Sequence, residues 1–156
     1  ITTRIKENTK IPLTVKLTPN VTDIKIIAKA AEDAGADGIT AINTLAAMRI
    51  DINARTPILT NKFGGLSGKS IFPVAVKNVY ELYDTVNIPI IGTGGITTGK
   101  DAIEMLMAGA SLLGVGTAAY YNGVKTFAKI QLEMEEWMSN NGYSDIKQLI
   151  GVAHDK

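Results

Sequence analysis

"IPIIGTGGITTGKDAIEMLMAGASLLGVGT", Ile88 to Thr117, passes from an apolar stretch through a glycine turn, a helical stretch and a second apolar stretch into another glycine turn. One glycine pair after a strand is ordinary, because a side chain there would often be forced to a positive φ. Two such turns on either side of a single helix put the ends of neighbouring parallel strands next to each other. Their backbone amides can then approach one ligand from both sides. The ligand expected at such a pair of bends is an anion.

Working outward, the same alternation continues. "IPLTVKLT" reads as a strand with its proline at the first position, where a strand tolerates one. "VTDIKIIAKAAEDAG" shows helical spacing at Ile24, Ile27, Ala28 and Ala31, with a cap expected at Thr22 and a stop at Gly35. "ADGITAINT" is a strand, and a long polar, glycine-bearing connection follows it. "PVAVKNVYELYDTV" then reads as a helix with Val76, Val79, Tyr80 and Tyr83 on one side. After "IPIIGTG", "GKDAIEMLMAG" and "ASLLGVGT", a long amphipathic helix over "VKTFAKIQLEMEEWMSNNG" carries Phe127 and Trp137 on its expected buried stripe.

Ile11-Pro12 opens a unit whose helix closes in Ala34-Gly35-Ala36, and Ile88-Pro89 opens one closing in Ala108-Gly109-Ala110. Two βαβα quarters therefore resemble each other. Strands alternating with helices require a parallel sheet. The pattern predicts an α/β fold made of four consecutive units of a (β/α)8 TIM barrel, in preference to an open doubly wound sheet, which remains the alternative. A closed barrel takes about 250 residues, so residues 1–156 would form one domain amounting to about half of it.

Composition sets the remaining bounds. A chain 46% apolar and 20% charged can bury one sizeable core, and its net charge of +1, scattered along the chain, gives no stripe for nucleic acid. The lack of cysteine excludes disulfides, thiolate metal sites and a thiol nucleophile within these residues. His154, the single histidine, has no companion for a metal site and is expected at the surface or a helix end. Asp101, Glu104, Glu133 and Asp145 fall on helices and are expected to be solvated charges. No apolar run reaches membrane-spanning length and the first residues lack a signal-peptide core, so a cytoplasmic protein is expected.

In a barrel the chemistry sits at the carboxyl ends of the strands. Those ends carry Lys16, Asn43-Thr44, Gly94-Gly95 and Gly116-Thr117. A lysine in an apolar strand either snorkels from an edge or, in a central strand, calls for an anionic partner. Asn43 and Thr44 serve equally well as the turn that ends a strand. The two glycine ends together match the phosphate site that barrels build from their seventh and eighth loops, the strongest of these signals.

"VKLTPNVTDI", "GADGITAINT", "NKFGGLSG", "GTGGITTGKDAIEMLMAGAS" and "GVGTA", followed by "GYSDIKQLIGVAH", resemble in order and spacing the C-terminal half of dihydroorotate dehydrogenases, specifically the NAD-linked two-subunit class. The pyrimidine-reducing domain of dihydropyrimidine dehydrogenase shares the "KLTPNVTDI" segment, and "RIDINARTPIL" favours the former family. The resemblance implies an FMN-dependent oxidation of dihydroorotate to orotate in pyrimidine biosynthesis. It implies Lys16 beside the flavin ring, where its charge steadies electron density arriving with the hydride. Ile42 would set its backbone against the cofactor, and Gly68 would let the chain approach it closely. Gly94, Gly95, Gly116 and Thr117 would grip the FMN phosphate, while Asn43 and Thr44 would hydrogen-bond the pyrimidine.

The resemblance leaves out the family's first half and with it the active-site base, a cysteine on a mobile loop in this class, so no catalytic residue is assigned here. The opening "ITTRIKENTK" reads as the end of a helix, which suggests a fragment. The implied partners are the N-terminal half of the barrel, a second copy in a homodimer, and a flavin and iron-sulfur subunit that passes electrons to NAD. The chain alone is then expected to be inactive. Two other classes stay open: a flavin-free barrel isomerase or lyase acting on a phosphorylated sugar, and a non-catalytic half-barrel that self-associates and binds phosphate.

Overall fold

The computed structural model describes residues 1–154. Its elements in order are α1 (Thr2–Lys6), β1 (Thr14–Leu17), α2 (Ile24–Asp33), β2 (Gly38–Ala41), the short strands β3 (Leu45–Ala47), β4 (Ile50–Asp51), β5 (Thr56–Pro57) and β6 (Gly64–Leu66), α3 (Phe72–Tyr83), β7 (Ile90–Thr93), α4 (Gly99–Met107), β8 (Leu112–Gly114), α5 (Thr117–Asn122) and α6 (Lys125–Asn140). Strands β1, β2, β7 and β8 form one parallel sheet in that order, with no reversal of direction along the sheet. The long connection after β2 holds what the sequence reading missed: a nested antiparallel ribbon pairing β3 with β6 and β4 with β5. Strands of two or three residues, one of them, β6, built on two glycines, carry no readable period.

The repeat of the two quarters is reproduced in hydrogen bonds. At the end of α2, Gly35 N donates to Glu32 O and Ala36 N to Ala31 O; at the end of α4, Gly109 N donates to Leu106 O and Ala110 N to Met105 O. Both are Schellman closures, and both need the left-handed residue that only glycine adopts without strain: φ is 89° at Gly35 and 115° at Gly109. The α2 cap is Asp23 rather than Thr22, because its carboxylate reaches Lys25 N at 2.9 Å.

The core lies between one face of the sheet and the helices. Val15, Ile39 and Ile90 share one row across the strands, and Leu17, Ala41, Gly92 and Leu113 another, facing residues such as Ala28, Ala75, Val79, Leu82, Met105 and Leu106. The opposite face carries the row Lys16, Thr40, Ile91 and Leu112, of which Lys16 is exposed and Leu112 is 60% exposed. Thus, of the two placements open to the lysine, the structure shows the edge: β1 is an edge strand among the described residues, and Lys16 lies exposed on the less covered face.

Two expected helix faces are corrected. On α3 the buried residues are Phe72, Ala75, Asn78, Val79 and Leu82, while Tyr80 and Tyr83 point outward. There they sandwich His154, whose ring stacks on Tyr80 at 3.8 Å, with Nδ1 facing Asp84 and Nε2 facing the Ala108 carbonyl. His154 is therefore a packed residue of the C-terminal turn, not a loose surface group. On α6, Trp137 packs against the core and stacks on Tyr143, but Phe127 is 50% exposed. Among the described residues no helix is long and apolar enough to cross a membrane.

The two equivalent glycines differ in surroundings, which gives a direct test of the fold. A Cβ at Gly35 would meet only Lys6 Cγ at 3.8 Å, whereas one at Gly109 would strike the Tyr83 side chain. Gly35→Ala should cost about 1–2 kcal/mol for its left-handed φ alone. Gly109→Ala should cost clearly more in urea unfolding, and equal losses would show that Tyr83 is not packed as described.

Candidate functional site

The carboxyl end of β2 is tied on both sides. Ile42 N donates to Thr93 O of β7 at 2.8 Å, and Asn43 N donates to Leu17 O of β1 at 2.8 Å. These bonds carry the sheet one step past the strand and fix where Asn43 and Thr44 emerge. The chain then enters the ribbon, and the Leu45–Leu66 pairing brings Ser67 and Gly68 back beside Thr44. From Gly68 a 3-10 turn over Lys69–Ile71 leads into α3, whose first turn accommodates Pro73.

All nine residues singled out from sequence line one cleft of about 150 Å³: Lys16, Ile42, Asn43, Thr44, Gly68, Gly94, Gly95, Gly116 and Thr117. Ser67, Ile71 and Thr93 complete its wall. Lys16 is the only charged residue among these twelve, none of which is a carboxylate. Thr117 Oγ1 and Ser67 Oγ lie 3.2 Å apart, joining the loop after β8 to the end of the ribbon.

The glycines of the cleft serve different needs. Gly94 and Gly95 have φ of 141° and 74°, and a Cβ at Gly95 would sit 2.7 Å from Gly68 O. Those two are dictated by the fold. Gly116 is not the strained turn its sequence suggested: its φ is −112°, and a Cβ there would meet nothing within 4 Å. The fold does not require glycine at 116, and the space left open belongs to the cleft. Among the described residues, the amides of Gly94, Gly95 and Gly116 donate to no protein acceptor. Free amides, four hydroxyl side chains and a single lysine, with no carboxylate among the lining residues, fit an anion such as a phosphoryl group.

Three supporting residues had not been assigned a role at the site from sequence. Asn20, within "TPNVTDI", donates to Thr44 O at 3.0 Å and accepts from Ala46 N at 2.8 Å, so one amide braces the chain where it leaves Thr44. Its position three residues before the Asp23 cap gave no hint of this long-range contact. Asp101, expected to be solvated, is only 6% exposed. It forms a capping box with Thr98 and accepts from Thr97 N, Thr97 Oγ1 and Thr98 N, while its other oxygen pairs with Lys69. Burial alone would raise its pKa; the Lys69 ammonium and the Thr97 and Thr98 donors outweigh that and hold it down to about 2. Glu133 is also engaged, accepting from Gly99 N at 2.6 Å and so fastening α6 to the start of α4.

A parallel α/β sheet with a cleft at the carboxyl ends of its strands is the architecture of the α/β class whose members place ligands at strand-end loops. The sequence profile described as Dihydroorotate dehydrogenase matches residues 1–138, and the chain belongs to that family. It is 50% identical over 149 residues to the "Dihydroorotate dehydrogenase B (NAD(+)), catalytic subunit" of Pyrococcus abyssi, covering 96% of this chain and 50% of that protein. Proteins of the same name from Methanosarcina acetivorans and Desulforamulus reducens are 48% and 49% identical, each match covering 99% of this chain and 50% of the relative. The chain thus spans about half the length of the curated relatives it matches.

The depressed pKa of Asp101 makes a signed prediction. A carboxylate ionised more readily in the folded state stabilises it above the unfolded pKa near 4, and that contribution disappears as the pH falls through about 2. Allowing for screening at the exposed Lys69 end, its size is on the order of 1–2 kcal/mol. Urea unfolding of wild type and Asp101→Asn between pH 5 and 2 (roughly spanning both pKa values) should converge at the acid end. A constant gap would rule out this linkage.

Proposed function

We propose that this chain is the carboxyl-terminal half of an FMN-binding (β/α)8 barrel, a single domain over residues 1–156 that supplies the FMN-phosphate site and part of the pyrimidine site of an enzyme oxidising dihydroorotate to orotate. The observation that carries this is the convergence of Lys16, Asn43, Thr44 and the four phosphate-loop residues on one cleft without a carboxylate. The unreversed strand order and the helices gathered on one sheet face support the barrel. So does the size of the cleft: about 150 Å³ is half or less of the roughly 300–1,000 Å³ of a complete small-molecule site.

FMN, when bound, supplies the acceptor for the hydride that leaves the substrate. The amides of Gly94, Gly95 and Gly116 and the Thr117 hydroxyl hold its phosphate. Gly68 and Ile42 bring backbone against it, and Lys16 places a positive charge where negative charge accumulates during oxidation. Asn43 and Thr44 present amide, carbonyl and hydroxyl groups that orient a flat pyrimidine. The cleft has no cysteine, histidine or carboxylate to take the substrate proton, so the base belongs to the N-terminal half.

That half is the first partner. Among the described residues the outer edges of β1 and β8 carry no strand partner, and an apolar groove of about 560 Å³ runs beside β8, where Leu112, Leu113, Val115 and Phe127 are accessible. This opening is larger than the cleft but lies along the sheet edge and has few polar groups, as expected of a face covered by protein. A second copy and an electron-transfer subunit carrying flavin and an iron-sulfur cluster complete the proposed assembly, which works in the cytoplasm.

The test uses the enzyme assembled from this chain and the N-terminal portion that its relatives carry. Wild type should purify with bound flavin, and Gly116→Val should keep the apo-protein unfolding midpoint while losing FMN, because a Cβ at 116 meets no atom of this chain within 4 Å. Retained FMN would remove the phosphate site from residue 116. A colourless wild type that binds inorganic phosphate would favour a flavin-free isomerase or lyase instead.

Lys16→Ala should slow reduction of the bound flavin by dihydroorotate roughly 100-fold while changing dihydroorotate binding much less. Stopped-flow absorbance measures both. An unaltered reduction rate would remove Lys16 from the chemistry.

A further inference from the structure

Asp101 is the only charged side chain among the buried polar residues described, the others being Asn78 and Thr126. A buried carboxylate needs its lone pairs filled, and here they are filled from two separate loops. One oxygen takes Thr97 N at 2.9 Å, Thr97 Oγ1 at 2.8 Å and Thr98 N at 3.0 Å, which fixes the segment immediately after Gly95. The other oxygen takes Lys69 Nζ, one residue after Gly68. Between these anchors the two loops touch backbone to backbone, since a Cβ on Gly95 would lie 2.7 Å from Gly68 O.

We propose that the Lys69–Asp101 pair is a strap that sets the spacing of the Gly68 and Gly94–Gly95 loops, making both residues positioning residues for the phosphoryl end of the ligand. This rests on the reading of the cleft as an FMN-phosphate site. Capping of α4 does not require the pair: the bonds from Thr97 and Thr98 and the box with Thr98 go to Asp101 without Lys69. Lys69 itself is 59% exposed, with Nζ 4.9 Å from the Phe72 ring centroid, so it contributes little to folding beyond the strap. Its removal frees one loop from the other and leaves the cap in place.

The experiment is a flavin-fluorescence titration of FMN into the stripped, assembled enzyme, with urea unfolding of the same apo-protein. Lys69→Ala should weaken FMN roughly tenfold, because amides displaced by a fraction of an ångström lose their aim, and should lower the apo-protein midpoint less than Asp101→Asn does, since the Thr97 and Thr98 donors still serve the carboxylate. Lys69→Arg should restore the affinity, and Asp101→Asn should lower both affinity and midpoint. Wild-type FMN affinity in Lys69→Ala, or a loss that Lys69→Arg fails to rescue, overturns the strap. Should wild type take up no FMN, the cofactor reading falls by itself. The strap is then judged on inorganic phosphate, with the same rescue expected and equal affinity of wild type and Lys69→Ala overturning it.

Discussion

Everything at the cleft depends on how the end of β2 is held. Two amides just beyond the strand, Ile42 and Asn43, donate in opposite directions to Thr93 and Leu17, so β1, β2 and β7 end in register. A parallel ladder supplies evenly spaced donors along each strand, and here its last rungs do the work of a hinge pin for three loops. Lys16, Asn43 and Gly94 can share one cleft because those rungs keep their strand ends at the same height. The packing beneath is dense enough to make the arrangement rigid: Ile39, Ala41 and Ile42 are almost completely buried.

The ribbon solves a second geometric problem. The chain must leave the sheet after Thr44 and return to it as Gly68, more than twenty positions later, without losing its place. Pairing β3 with β6 closes that excursion at its base, and Asn20 braces the departure point from the β1 side. Gly65 belongs to the same device, because a Cβ there would fall on the Thr44 side chain. The glycines of "NKFGGLSG" are thus divided between folding the ribbon tightly over Thr44 and letting Gly68 turn with a φ of 89°.

The order of strands and helices was legible because it is written in local chemistry: β-branched runs, helical spacing, and a glycine closing each of the helices α2 and α4. Residues at strand ends were legible for the same reason, since position along a strand fixes position in the sheet. What escaped was long-range. Asp101 looks like any helix carboxylate until Lys69, thirty-two residues earlier, is seen beside it. Tyr80 and Tyr83 look like core residues until His154 is found between them, and Phe127 until the open groove beside β8 is seen. In each case the deciding neighbour comes from a distant segment, and no periodicity encodes it.

Gly95 and Gly116 look alike in sequence, each at the end of an apolar strand, yet they obey different constraints. At Gly95 the backbone itself forbids a side chain, through both its positive φ and the carbonyl of Gly68. At Gly116 neither condition holds; the protein leaves room there without needing it. Gly116 thus opens into a cleft whose neighbouring amides are unpartnered, with room left for whatever lies against this chain there. The cleft therefore has two unlike walls. One is a rigid wall of glycines 94 and 95, set by packing; the other is an open wall at Gly116, which packing within the described residues does not set.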